Sequence, residues 1–195
     1  MTAVADVTGA VATHLREQLG PTEPVRACVT FLGVAPLDVL RFGPTHAGVV
    51  HYASVGCSRH PMGEPAELVA DPVRGPRAEL VLRLNGGVDG VQRTLAVLAA
   101  TPAVEGLVLV PDALIDLGEP LWTGAAFTAV LLQECAEVPD LELGEPLGPV
   151  RFLQVVPVTA TEAAWVRLRG APALRQAWAQ ANIDVYAPGR SAVSL

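Results

Sequence analysis

Lysine is absent from this chain, and all 13 of its basic residues are arginine. That excludes any mechanism that needs a lysine amine, Schiff-base formation included. No stretch approaches the roughly 18 apolar residues of a membrane-spanning helix. The N-terminus has no basic segment followed by a continuous apolar run, so no secretory leader is expected. Cysteine is scarce: Cys28, Cys57 and Cys135 are odd in number and far apart. They predict free thiols in a reducing cytoplasm rather than a disulfide framework. There is no internal repeat, no low-complexity block and no basic stripe. With a formal net charge of -7, the chain lacks the phosphate-neutralising surface on which nucleic-acid binding rests.

What is present is apolar mass. Of 195 residues, 51% are hydrophobic and 17% charged, enough for one domain over residues 1–195 with a core of its own. The 17 prolines and 18 glycines are scattered, which predicts many tight connections.

Val4, Val7, Val11, Leu15 and Leu19 recur at helical spacing and Gly20-Pro21 stops them, predicting an N-terminal helix over 4–19. His14 lies beside that apolar stripe, where a packed side chain is the ordinary reading. A strand is expected from Val25 to Leu32, broken across Gly33 to Pro36. Leu37 to Phe42 and the run from Val49 then read as a hairpin. Four prolines and two glycines between Pro61 and Gly75 predict a long connection, with at most a short strand near Leu68-Val69.

Arg77 to Leu84 is the cleanest strand. Ala78, Leu80, Leu82 and Leu84 share one face, and Arg77, Glu79, Val81 and Arg83 the other. Next come a helix from Val91 ended by Pro102, a short strand over Leu107 to Val110, and a loop bearing Asp112, Asp116 and Glu119. Strands follow over Phe127 to Gln133 and over Val150 to Val156, the latter bounded by Pro149 and Pro157. Thr159 and Glu162 have capping-box spacing. They open a helix that ends near Gly170, and a second short helix begins at Pro172. The core thus spans 25–180, with an irregular tail over 182–195. Strict strand–helix alternation is missing, so an α+β sandwich with a mostly antiparallel or mixed sheet is expected.

The stretch that concentrates chemistry is Val49 to Ser58, with Arg59 behind it. Gly56-Cys57-Ser58 could be a nucleophile turn, but His60 stands where that motif needs its second glycine, and Pro61 follows instead of a helix. Nothing near Cys57 in sequence lowers its pKa. His46, His51, Cys57 and His60 match no zinc spacing. Asn85 to Gly90, ahead of a helix, lacks the pattern of a phosphate loop and reads as a turn. Arg77 and Glu79, two residues apart on one strand face, could pair with each other or meet a ligand. Arg59 joins them as a recognition group.

Three sets of residues, in order, resemble the Suppressor of fused-like domain family. They are His51-Tyr-Ala-Ser-Val-Gly-Cys-Ser58 with Arg77-Ala-Glu-Leu80; Val150-Arg-Phe-Leu-Gln-Val-Val-Pro-Val-Thr159 with Glu162, Trp165, Gly170 and Leu174; and Pro188-Gly-Arg190. The resemblance implies an α/β sandwich and a non-enzymatic, protein-binding role without cofactor or metal. The animal namesake restrains a transcription factor by gripping a short peptide as an added strand. It has a second domain for which this chain has no room, so that activity is not implied. Stand-alone bacterial members imply an immunity-type, cytoplasmic protein that neutralises a toxin.

By the same resemblance Tyr52 matches a strand tyrosine near the gripped peptide, and Glu64 stands for an acidic partner residue. Arg59 replaces an acidic residue of the animal pattern, implying a different partner preference. Tyr52, Ser58, Arg59, Glu64, Arg77 and Glu79 are therefore the candidate partner-binding residues. The alternatives are a hydrolase using Ser58 and a structural or scaffold subunit.

Overall fold

The computed structural model describes residues 6–20, 22–63 and 71–194. Within them α1 (Val7–Leu19) precedes β1 (Val25–Phe31), β2 (Val34–Phe42), β3 (Val49–Val55) and a single 3-10 turn at Cys57–Arg59. Then follow β4 (Arg77–Asn85), α2 (Val91–Glu105), β5 (Leu114–Asp116), β6 (Phe127–Glu134), β7 (Leu141–Glu142) and β8 (Pro149–Thr159). The helices α3 (Ala160–Arg169) and α4 (Ala171–Gln180) close the series. Val4 of the expected first helix and the expected strand at Leu68-Val69 lie outside the described residues.

All strands join one mixed sheet in the order β1-β2-β3-β4-β8-β6-β5, with β7 added to β8. Every neighbouring pair is antiparallel except β4 with β8. This is the α+β architecture expected from the order of elements.

Alternation along the central strands builds two cores. Leu80, Leu82 and Leu84 pack with Leu95 and Leu98 of α2. Val81, on the other face, packs with Val11 and Leu15 of α1. Further along that second face, Val156 and Val158 of β8 meet α3 and α4 through Ala163, Leu174 and Trp178. The sheet is therefore covered by α2 on one side and by α1 with the α3–α4 pair on the other. Strand β4, buried along nearly its whole length, is the middle of the molecule.

Prolines mark the places where the expected boundaries move. The break around Gly33 to Pro36 is shorter than expected: β2 begins at Val34, and the β1–β2 register slips between Val29 and Phe31. That slip lies across from Pro36, which has no N–H to give a ladder. Helix α2 runs through Pro102 to Glu105. Proline removes the bond that would reach the Leu98 carbonyl, and the Thr101 hydroxyl donates to that carbonyl instead, at 2.8 Å. The helix ends at Gly106, in the left-handed region at φ 69°, where glycine carries no Cβ penalty. Strand β8 continues through Pro157 to Thr159. Its pairing with β4 stops at Val155, so the missing N–H falls where β8 has a single neighbour. Leu107 to Val110 is not a strand; sheet pairing starts further on, with Leu114 opposite Leu131.

The tail after α4 is irregular but stapled. Glu162, fully buried, closes the capping box with Thr159 and accepts from Trp178 Nε1 at 2.8 Å and from the Val193 N–H at 3.2 Å. Arg190 meets both of its carboxylate oxygens, at 2.7 and 3.0 Å. Burial alone would raise the Glu162 pKa; the Arg190 guanidinium, the Thr159 N–H and the Trp178 N–H outweigh it and hold the carboxyl below the usual glutamate value. A lowered folded pKa contributes stability that is fully present above the unfolded value and lost as pH falls through the folded one. Glu162→Gln is expected to cost about 3 kcal/mol, the scale for breaking a buried ion pair. The urea midpoint of Glu162→Gln is also expected to fall less steeply on acidification than that of wild type.

Candidate functional site

The loop after β3 is shaped from beneath by two neighbouring side chains of β4. The Glu79 carboxylate, fully buried, collects donors: Ser54 Oγ at 2.5 Å, the Gly56 N–H at 2.8 Å, the Ser58 N–H at 3.0 Å and Ser58 Oγ at 2.6 Å. The Arg77 guanidinium collects acceptors: the carbonyls of Ser58 at 2.7 Å, Arg59 at 3.0 Å, Val73 at 2.8 Å and Leu147 at 3.3 Å. Burial pulls the Arg77 pKa below its usual value, yet an arginine remains charged. One strand thus offers an anion for the loop's N–H groups and a cation for its carbonyls. The two side chains grip the loop rather than each other.

Gly56 is the hinge of this arrangement. Its φ of 122° is left-handed, and a Cβ there would lie 3.0 Å from Leu37 Cδ2 and 3.4 Å from an Arg59 guanidinium nitrogen. Glycine therefore lets Arg59 fold back over the turn, where it donates to the Pro36 carbonyl at 3.2 Å.

Above the loop is a cavity of about 240 Å³, walled by Val34, Leu37, Pro61, Met62, Ala99 and Pro102. Cys57 faces it, and burial followed by the Glu79 charge pushes that thiol well above its usual pKa. A thiol held neutral is a small apolar wall group, not a nucleophile. Arg59 and His60 also line the cavity. The β1–β2 hairpin contributes one wall, and among the described residues β1 is an outer strand whose sole sheet neighbour is β2. Val25 is 60% exposed and Leu32, in the hairpin turn, is fully exposed.

The six candidates therefore separate. Ser58, Arg77 and Glu79 are buried in the hydrogen-bond set that shapes the loop and present almost no surface. Tyr52 is 1% exposed. Its hydroxyl accepts from the Val88 N–H at 3.0 Å and donates to the Val88 carbonyl at 3.3 Å. It ties the Asn85–Gly90 turn to the sheet and has no surface to offer. Arg59 alone of the described five reaches the cavity. Glu64 lies outside the described residues.

The histidines do not assemble, and no group of three or more metal-ligating side chains occurs among the described residues. His14 Nε2 bonds the Pro139 carbonyl at 2.8 Å and its ring stacks on Phe152. His51 and Arg83, partners across β3 and β4, both grip Glu137. Burial would raise the Glu137 pKa, but His51 and Arg83 outweigh it and lower it. Glu137 was not among the sequence candidates because it stands in a connection, with no local pattern to mark it. Asp112 and Asp116 pair with Arg175 and Arg167.

The sequence matches Suppressor of fused protein (SUFU) over residues 33–191. The chain belongs to this family. Among solved structures it is similar to a Suppressor of fused homolog from Neisseria gonorrhoeae, with TM-score 0.70 and 18% identity, covering 97% of this chain and 98% of that one. It is also similar to Sufu in the Sufu–Fu complex, with TM-score 0.65 and 15% identity over 97% of this chain and 91% of that chain. Drosophila Suppressor of Fused gives TM-score 0.64 and 16% identity; the match covers 96% of this chain and 50% of the Drosophila protein. No curated protein matches. At these identities the structural likenesses speak to the fold.

The difference between gripping and merely lining is measurable. Glu79→Ala would leave two buried N–H groups and two hydroxyls without their acceptor, at about 1–3 kcal/mol each. We expect urea unfolding to show a loss above about 3 kcal/mol for Glu79→Ala, and about 1 kcal/mol for Ser58→Ala.

Proposed function

We propose that this chain is a single protein-binding domain that takes an extended partner segment on the outer edge of β1 and, through it, neutralises a toxin as an immunity-type protein. The observation that carries the binding reading is the β1 edge. Its outward N–H and carbonyl groups have no sheet partner among the described residues, and the turn that follows it lines the apolar cavity at Gly33 together with Val34, Ala35 and Leu37 of β2. Main-chain bonds can supply affinity at the edge while the cavity selects a side chain. The Suppressor of fused structure solved with Fu supports a polypeptide partner, and the gonococcal homolog supports a bacterial setting for the toxin role. Among the described residues no helix is long and apolar enough to cross a membrane. The reading of Ser58 as a nucleophile finds no support in its surroundings, since its hydroxyl is buried and spent on Glu79.

In an antiparallel edge strand alternate residues point their N–H groups outward, so one of Ala27→Pro and Cys28→Pro removes an outward donor while sparing the β2 ladder. That variant is expected to keep the wild-type circular dichroism spectrum. It should fail to retain a polypeptide that wild type captures from the source cell, and that polypeptide should arrest growth when expressed alone. Equal retention by both proline variants would refute the edge as the binding surface.

A further inference from the structure

We propose that the segment bound at this site is acidic, with an aliphatic side chain in the cavity and an adjacent Asp or Glu against Arg59 and His60; the inference rests on the strand-addition reading above. The cavity wall is made of Val, Leu, Ala, Pro, Gly and Met side chains with a neutral Cys57 thiol. Among the described residues, Arg59 and His60 are its sole ionisable lining groups apart from that thiol, and no carboxylate lines it. That is unusual in a chain with 20 acidic and 13 basic residues. Arg16, Arg26, Arg151, Arg167 and Arg175 are matched by Glu23, Asp38, Glu134, Asp116 and Asp112, whereas Arg41, Arg74, Arg93 and Arg169 make no ion pair among the described residues but do not line the cavity. Arg59 makes no ion pair among the described residues; its one bond is to the Pro36 carbonyl.

That single bond is the important detail. It draws the guanidinium over Gly56 and leaves its remaining N–H donors uncommitted at the cavity rim. A guanidinium is a rigid fork suited to a carboxylate, and here it is already oriented, so less rotamer entropy is lost on binding. Beside an apolar wall its field is less screened than in open water. A basic residue on the partner would meet the Arg59 cation and no acceptor carboxylate among the described lining residues. A neutral aliphatic segment would fill the cavity but leave Arg59 desolvated and unpaired, which is costly. Acidic neighbours of the anchoring side chain resolve both problems.

The test uses a phage-displayed library of random linear peptides selected on the full-length protein, followed by polarisation binding of the recovered peptides. Wild type is expected to enrich Asp or Glu next to Leu, Ile or Val. Replacing that acid by its amide should weaken binding about 10-fold, as should Arg59→Gln, with Arg59→Lys restoring part of the loss. Arg59→Glu should shift selection towards Lys or Arg at the same position. Recovered peptides without acidic enrichment, or with affinity unchanged in Arg59→Gln, would overturn this inference. If binding were still lost in the folded β1 proline variant, the strand-addition reading would survive that result. Peptides bound equally well by the β1 proline variant would overturn both, as would the absence of any selected peptide.

Discussion

The Glu79 carboxylate is the interaction on which the rest of the site depends. A buried anion is tolerable when its lone pairs are filled, and here three donors from the loop and the Ser54 hydroxyl of β3 fill them. The requirement runs both ways. The loop's N–H groups have left β-sheet pairing and need an acceptor; the carboxylate is on a central strand and cannot reach water. Arg77, two residues earlier on the same strand, answers the loop's carbonyls in the same way. The strand between the two cores therefore dictates the path of Gly56 to Arg59, and that path decides where the Arg59 guanidinium lies.

A similar logic holds the far end of the molecule. Glu162 begins as a helix cap, a local device, and becomes the buried anchor of a segment nearly thirty residues later through Arg190. Glu137 does a looser version of this for the connection after β6, held by His51 and Arg83 while the Arg83 guanidinium lies 4.5 Å from the centre of the Tyr186 ring. Three carboxylates thus tie irregular segments to the regular sheet. The polar residues that would invite a catalytic reading are largely consumed in doing so, while Arg59 stays at the rim of the apolar cavity.

The legible part of the chain was the part governed by local rules. The alternation of Arg77 to Leu84 is a backbone property of a strand, and the two faces separated as it required. The Thr159–Glu162 cap needs only neighbouring residues and is present as expected. The ordered residues from His51 to Arg190 pointed to the family to which the chain belongs. Proline was read as a terminator at Pro102 and Pro157 because its own geometry disfavours continuation. The helix persists at Pro102 because the Thr101 hydroxyl replaces the lost bond. The strand persists at Pro157 because its partner on one side has already ended.

By itself the sequence determined the class of fold, the main strands and helices, and the family, since all of these follow from periodicity, capping and ordered spacing. The tertiary structure alone decided which polar groups face each other. Tyr52, Ser58, Arg77 and Glu79 look like recognition residues in a linear reading because they are polar and clustered. Folding buries all of them and makes them internal partners. Arg59 keeps a free face because Gly56 bends the chain and Pro36, brought across from another strand, takes one of its N–H groups. Those contacts join residues some twenty or more positions apart, and no local pattern encodes such a distance.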